Sequence, residues 1–118
     1  MATVLLVEDD PDQLEMRALV LETEHHHVVT ARNRDQALKR FAERSPDIVL
    51  MDLRLPRTTD GLALVKQLRA LSETVPILVL SGWPDDLRDR PDLPRIDRVL
   101  PKPVRSQYML ALIRRLTA

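Results

Sequence analysis

The sequence predicts an α/β domain in which a parallel sheet is covered by helices on both faces. Short apolar runs recur along the 118 residues, and segments with apolar residues at helical spacing separate them. Runs that are apolar throughout are typical of strands buried on both faces of a sheet. Five predicted strands, of which residues 28–31 are a weaker candidate, alternate with helices, and this alternation favours parallel pairing and right-handed crossovers. The length fits one domain with one core, residues 1–118.

The central strand carries the residue on which the functional prediction depends. Residues Ile48 to Met51 are apolar, Asp52 follows at the carboxyl end, and Pro56 stops regular pairing. The other predicted strands lie at residues 4–7, 28–31, 76–80 and 98–100. In open α/β sheets ligands bind at the carboxyl ends of the strands, so Asp52 is a candidate for chemistry. Taken alone, Asp52 is equally well interpreted as an acid that satisfies a nearby backbone amide.

Capping residues mark where the helices begin. The predicted starts are Asp10 with Pro11, Asn33 or Asp35, Asp60, and Arg105 or Ser106. Short polar side chains accept hydrogen bonds from the first free amides, and proline fits the first helical position. We expect the first helix to end near Glu24 and the second before Ser45. Between Trp83 and Asp97 three prolines allow at most two helical turns, so the fourth helix should be shortened or irregular.

Composition excludes several classes of protein. The 18 basic and 18 acidic residues cancel, so no overall field favours direct binding to nucleic acid or to an anionic membrane. The absence of cysteine excludes disulfides, thiolate metal sites and cysteine nucleophiles. Two glycines, Gly61 and Gly82, are too few for a glycine-rich phosphate loop. The first apolar run is broken at Glu8, so we expect no secretory signal or membrane span and a cytoplasmic location.

Three consecutive histidines, His25, His26 and His27, follow the first predicted helix. Consecutive residues in regular structure cannot all face one ion, and no further ligand lies nearby in the sequence. We therefore expect a solvated turn at these residues, not a metal site.

Polar side chains that end four of the strands should meet at one edge of the sheet. These residues are Glu8 and Asp9, Asp52, Ser81, and Lys102. Three carboxylates held close together repel one another unless a cation lies between them. A donor set made of oxygen atoms suits Mg²⁺. A lysine and a metal ion beside a carboxylate and a hydroxyl are the groups that phosphoryl transfer to a carboxylate requires.

The sequence resembles the receiver domain of two-component response regulators along essentially its whole length. The matching segments are residues 5–11, 47–56, 60–61, 78–82 and 100–103. Each segment alone is weak, whereas their order and spacing together are specific. The resemblance implies a flavodoxin-like (βα)5 fold and a regulatory domain that catalyses only its own phosphorylation and dephosphorylation, not an enzyme acting on other substrates.

The resemblance also implies a role for each matching residue. Asp52 would accept a phosphoryl group from a histidine kinase or phosphotransfer protein and signal to a downstream protein. The implied Mg²⁺ ligands are Glu8, Asp9, Asp52 and the backbone carbonyl of Arg54. The residues implied to bind the phosphoryl group are Ser81, Gly82 and Lys102. The Lys102–Pro103 peptide bond is expected to be cis, which costs little before proline.

Three residues depart from the family pattern or tune it. Val99 occupies the place where many relatives carry an aromatic switch residue. Arg54 and Trp83 lie two positions after Asp52 and Ser81, at places that face the phosphoryl group in this family. We hypothesise that this bulky pair excludes the hydrolytic water and gives a long-lived phosphoryl group. The alternative is that Arg54 merely pairs with an acid at the rim.

Two other functions are compatible with the sequence. One is an interaction module that keeps the receiver fold and works without phosphorylation, which Val99, Arg54 and the altered fourth helix favour. The other is a phosphatase-like enzyme with an aspartyl nucleophile, for which the sequence offers no recognisable cap domain or substrate pocket.

Overall fold

Five strands form one sheet in the computed structural model, which describes residues 1–82 and 94–118. The strands are β1 (Thr3–Val7), β2 (His27–Ala31), β3 (Ile48–Asp52), β4 (Ile77–Ser81) and β5 (Arg98–Pro101). Their order is β2-β1-β3-β4-β5, and every neighbouring pair is parallel. The predicted flavodoxin-like parallel sheet is confirmed. The apolar runs of β3 and β4 are buried along their whole length, as strands covered on both faces must be.

Four helices in the described ranges cover the two faces of the sheet. They are α1 (Pro11–Glu22), α2 (Arg34–Arg44), α3 (Thr58–Leu71) and α4 (Ser106–Thr117). Alternate residues of the strands point to opposite faces and build two apolar clusters. Helices α2 and α3 pack into the cluster that contains Leu5 and Met51. Helices α1 and α4 pack into the cluster that contains Leu6 and Leu50, so the sheet is wound on both sides.

The first two helices begin at caps that the sequence predicts. The Asp10 carboxylate accepts hydrogen bonds from the backbone amides of Asp12 and Gln13, at 2.9 and 3.2 Å. The Asn33 side chain, not that of Asp35, accepts from the amide of Gln36 at 2.8 Å. Each cap satisfies amides that the first turn of a helix leaves without partners.

The predicted cap of the third helix is wrong. Arg57 occupies the cap position without a side-chain cap hydrogen bond, and Asp60 lies inside the first turn of α3. The carboxylate there is 3.4 Å from the Arg57 guanidinium and lies near the positive end of the helix dipole. Near the start of α3, the backbone of Leu53 packs directly against Gly61.

The histidine turn is only partly solvated. His26 is 6% exposed, and its Nδ1 accepts a hydrogen bond from the backbone amide of Ala2 at 3.1 Å. The expectation of a solvated turn is therefore wrong for His26, because the residue before β1 needs an acceptor at this position. His25 and His27 are exposed as expected.

The expected irregular fourth helix falls largely on residues 83–93, which lie outside the described part of the chain. The described residues 94–97 are neither helix nor strand. No helix within residues 1–82 and 94–118 is long and apolar enough to cross a membrane.

Candidate functional site

An open cleft of about 440 Å³ lies at the carboxyl edge of the sheet. The predicted site residues that line it are Glu8, Asp9, Asp52, Arg54, Ser81, Gly82 and Lys102. The strand register explains this convergence, because Asp52 pairs with Leu80 and Ser81 pairs with Pro101 at the ends of adjacent strands. Val99, on β5, is 37% exposed and is not among the residues that line the cleft. Trp83 lies outside the described residues.

Asp52 is buried at the end of β3 and uses its two carboxylate oxygens differently. Its side chain is 7% exposed. Oδ1 accepts a hydrogen bond from the backbone amide of Arg54 at 3.1 Å. Oδ2 contacts the ammonium group of Lys102. One oxygen of Asp52 therefore satisfies a backbone amide, as the first interpretation expects, and the other faces a cation in the cleft.

Lys102 is brought to Asp52 by the continuation of the sheet beyond β5. Its backbone amide donates to the carbonyl of Ser81 at 2.9 Å, which extends the β4–β5 pairing by one residue. The Lys102–Pro103 peptide bond is cis, as the resemblance implies. The ammonium group thus lies on the same edge as the Ser81 side chain, which is buried at the end of β4.

Glu8 is more deeply buried than Asp52 and makes one backbone contact and two side-chain contacts. It is 2% exposed, and its backbone amide donates to the carbonyl of Ala31 at 3.0 Å. Its Oε2 accepts from the amide of Asp10 at 3.3 Å, and its Oε1 contacts the guanidinium of Arg17. Burial, followed by the negative charge of Asp52, raises the pKa of the Glu8 carboxyl to about 7. The Asp10 amide and Arg17 lower this pKa without cancelling the rise.

The residues of the cleft fit Mg²⁺ in kind but are engaged by internal cations. Carboxylates of Glu8, Asp9 and Asp52 line one cleft, and oxygen is the donor that Mg²⁺ prefers. Within the described ranges, no three acidic or histidine side chains converge closely enough to hold an ion. One oxygen of Glu8 faces Arg17, and one oxygen of Asp52 faces Lys102. Binding of the ion would therefore either use the remaining carboxylate oxygens or displace these cations.

Sequence reasoning missed four residues that line the cleft, Asp10, Gln13, Arg17 and Pro56, of which Arg17 carries a charge that contacts a predicted site residue. The Arg17 side chain is 14% exposed and lines the cleft beside Glu8. A signal for it exists in the first helix, because Arg17 lies three residues after Leu14 and four before Leu21. Residues at that spacing share one helix face. A basic residue on an otherwise apolar face requires an acidic partner when that face is buried.

Fold and cleft together define a class of protein: a doubly wound α/β domain whose parallel strands deliver a carboxylate cluster and a lysine to one edge. The family model for the response regulator receiver domain matches residues 4–114. The chain therefore belongs to the receiver domains of two-component response regulators.

Similar proteins include two transcriptional regulators. A CpxR homolog of Haemophilus influenzae is 33% identical over 115 residues, which is 97% of this chain and 49% of that protein. The regulator PrrA of Mycobacterium tuberculosis is 37% identical over 79 residues, which is 67% of this chain and 34% of that protein. The chain thus spans half or less of the length of these relatives.

Solved structures support the same fold. A response regulator receiver domain from Clostridium thermocellum superposes with a TM-score of 0.88 at 22% identity, covering 99% of this chain and 94% of that one. The chemotaxis protein CheY4 of Vibrio cholerae gives a TM-score of 0.86 at 26% identity, with 98% of both chains covered.

Proposed function

We propose that residues 1–118 act as a phosphoacceptor switch in a two-component phosphorelay. Asp52 takes a phosphoryl group from a histidine kinase or phosphotransfer protein in a reaction that depends on Mg²⁺. The observation that carries this proposal is the contact of Lys102 with a buried carboxylate 50 residues away, inside an open cleft. A lysine in this position can follow the negative charge when it moves from the carboxylate to the incoming phosphoryl oxygens.

The transfer requires an attacking carboxylate and groups that offset charge. An oxygen of Asp52 forms a bond to phosphorus while the bond between phosphorus and the donor's leaving atom breaks. The hydrogen bond from the Arg54 amide fixes the orientation of the carboxylate. Lys102 then pairs with the phosphoryl oxygens, and the Ser81 hydroxyl and the Gly82 backbone bind them from the neighbouring strand. Mg²⁺, held by Glu8, Asp9, Asp52 and the carbonyl of Arg54, would offset charge on the same oxygens.

The proposal is tested by incubating the protein with Mg²⁺ and acetyl phosphate and measuring the intact mass. We expect one phosphoryl adduct in the wild type, no adduct in Asp52→Asn, and an unchanged adduct in Asp35→Asn. Asp35 is a matched control, because it is an exposed acid on α2 that does not line the cleft. An equal adduct in Asp52→Asn would refute the assignment of the acceptor.

Arg54 and Trp83 are proposed to lengthen the life of the phosphoryl group by excluding the hydrolytic water. The proposal is supported by the Arg54 side chain, which is exposed and lines the same cleft as Asp52. The double variant Arg54→Ala, Trp83→Ala should lose the adduct faster than the wild type after the phosphodonor is removed. Unchanged decay would remove this role for the pair.

A second candidate function is an interaction module that works without phosphorylation. The observation that favours it is the engagement of Glu8 and Asp52 by the internal cations Arg17 and Lys102, which neutralises the acids without a metal ion. The same mass measurement separates the two functions. The absence of any adduct at Mg²⁺ concentrations that saturate the protein would favour the interaction module.

A further inference from the structure

Arg17 lies in the wall between the carboxylate cleft and a second cavity. It projects from α1, and its guanidinium contacts Oε1 of Glu8 inside the cleft. It also lines the neighbouring groove of about 480 Å³, whose walls include Val20, Lys102 and Met109 from α1, the end of β5 and α4. Arg17 therefore has space on both sides.

Arg17 balances the negative charge of the buried Glu8 from within the protein itself. The side chains are 14% and 3% exposed, so both charges are largely removed from water. A carboxylate in such a place requires a partner, and a guanidinium stays charged at any ordinary pH. Glu8 is also one of the acids to which the proposed function assigns Mg²⁺. The guanidinium of Arg17 and the Mg²⁺ ion would therefore bind the same carboxylate, that of Glu8.

We propose that Arg17 is a tethered counter-ion that competes with Mg²⁺ for Glu8. Binding of the metal ion requires the guanidinium to leave Glu8 and to turn into the adjoining groove. Mg²⁺ affinity in this chain is thus set by the strength of an internal ion pair as well as by the carboxylates. This inference rests on the proposed function, because the ion concerned is the one that supports phosphorylation of Asp52.

The competition predicts tighter Mg²⁺ binding when Arg17 is removed. Isothermal titration with MgCl₂ alone, without a phosphodonor and at about pH 8.5 so that Glu8 stays ionised, should give a dissociation constant about tenfold lower for Arg17→Met than for the wild type. This factor corresponds to the loss of about one hydrogen bond between charged groups. Arg40→Met is the matched control, because the Arg40 side chain on α2 is 40% exposed and pairs with Glu43 at 3.6 Å, outside the cleft. It removes the same charge and should leave the affinity unchanged.

A second measurement on the wild-type chain does not depend on the folding of the variant. The Nε–H resonance of Arg17 should shift during an Mg²⁺ titration and saturate with the dissociation constant found by calorimetry. An Arg17→Met affinity equal to or weaker than that of the wild type would overturn the inference. So would an Arg17 resonance that does not move at saturating Mg²⁺.

Failure of this inference and failure of the proposed function give different results. If Asp52 is phosphorylated but Arg17→Met leaves Mg²⁺ binding unchanged, the competition is refuted and the switch stands. If Arg17→Met tightens Mg²⁺ binding but no phosphoryl adduct forms at saturation, the competition stands and the switch is refuted.

Discussion

Replacing Gly61 by alanine should destabilise the protein, because α3 starts in contact with the backbone that follows β3. A Cβ at Gly61 would lie 1.7 Å from the carbonyl oxygen of Leu53. To reach 3.0 Å, the helix or Leu53 must move by about 1.3 Å. Neither moves easily, because the Leu53 amide donates to the Leu80 carbonyl at 2.9 Å and α3 is anchored by the buried Leu64.

The size of the effect follows from two opposing terms. Added atoms in a packed interior typically cost about 1–3 kcal/mol, and a clash with backbone belongs at or above the upper end. The better helix propensity of alanine offsets about 1 kcal/mol. The expected net loss in the free energy of unfolding is about 2 kcal/mol, which corresponds to a fall in Tm of roughly 10 °C for a domain of this size.

Urea denaturation followed by far-ultraviolet circular dichroism measures this loss. Gly82→Ala is the matched control, because a Cβ at Gly82 would meet no atom within 4 Å. We expect the control to remain within about 0.5 kcal/mol of the wild type. If Gly61→Ala proves as stable as Gly82→Ala, α3 does not pack against the backbone of Leu53 as closely as the structure shows.

Two further predictions concern stability. Burial, and then the charge of the N-terminal amino group, lowers the pKa of His26 from its ordinary value of 6.5, so its neutral form belongs to the folded state. The contribution of His26 should be complete above pH 6.5 and lost as the pH falls through the folded pKa. The wild type should therefore lose more stability than His26→Asn between pH 7 and pH 5. Asparagine is the chosen substitution because its side chain can still accept the hydrogen bond from Ala2. Urea midpoints that fall equally with pH in both proteins would contradict this prediction. Arg69 is 9% exposed and donates to Asp97 at 3.0 Å and to several main-chain carbonyls. Arg69→Met should therefore lower the free energy of unfolding by about 3 kcal/mol, whereas Arg40→Met should lower it by less than about 0.5 kcal/mol. Equal stabilities of the two variants in urea would refute the role of the Arg69–Asp97 pair.

The fold was predictable because its determinants are local. Strands such as β3 and β4 are apolar on both faces, and this pattern distinguishes them from the surrounding helices without any knowledge of tertiary contacts. The strand ends also indicated which side chains share an edge, since parallel strands place their carboxyl ends together. Residues as distant as Glu8 and Lys102 were therefore expected in one cleft, where the structure places them.

The remaining features depend on tertiary contacts, which a local sequence pattern does not show. Asp60 has the chemistry of a helix cap, but α3 begins at Thr58, and Gly61 packs against the backbone of Leu53 near the helix start. His26 is buried because the amide of Ala2, 24 residues away, needs an acceptor. The local sequence pattern does not show which distant backbone amides require a hydrogen-bond acceptor. The sequence does show Arg17 as a charged residue on an apolar face of α1. Its partner, however, depends on how α1 packs on the sheet.

The most direct test of the account locates the phosphoryl group in the chain. After treatment with Mg²⁺ and acetyl phosphate, borohydride reduction converts an acyl phosphate on aspartate to homoserine, which peptide mass spectrometry assigns to one residue. We predict homoserine at Asp52, formed only when Mg²⁺ is present. Reduction at Asp9 or at another acid, or no reduction in a protein that binds Mg²⁺, would contradict the claim that Asp52 is the phosphoacceptor.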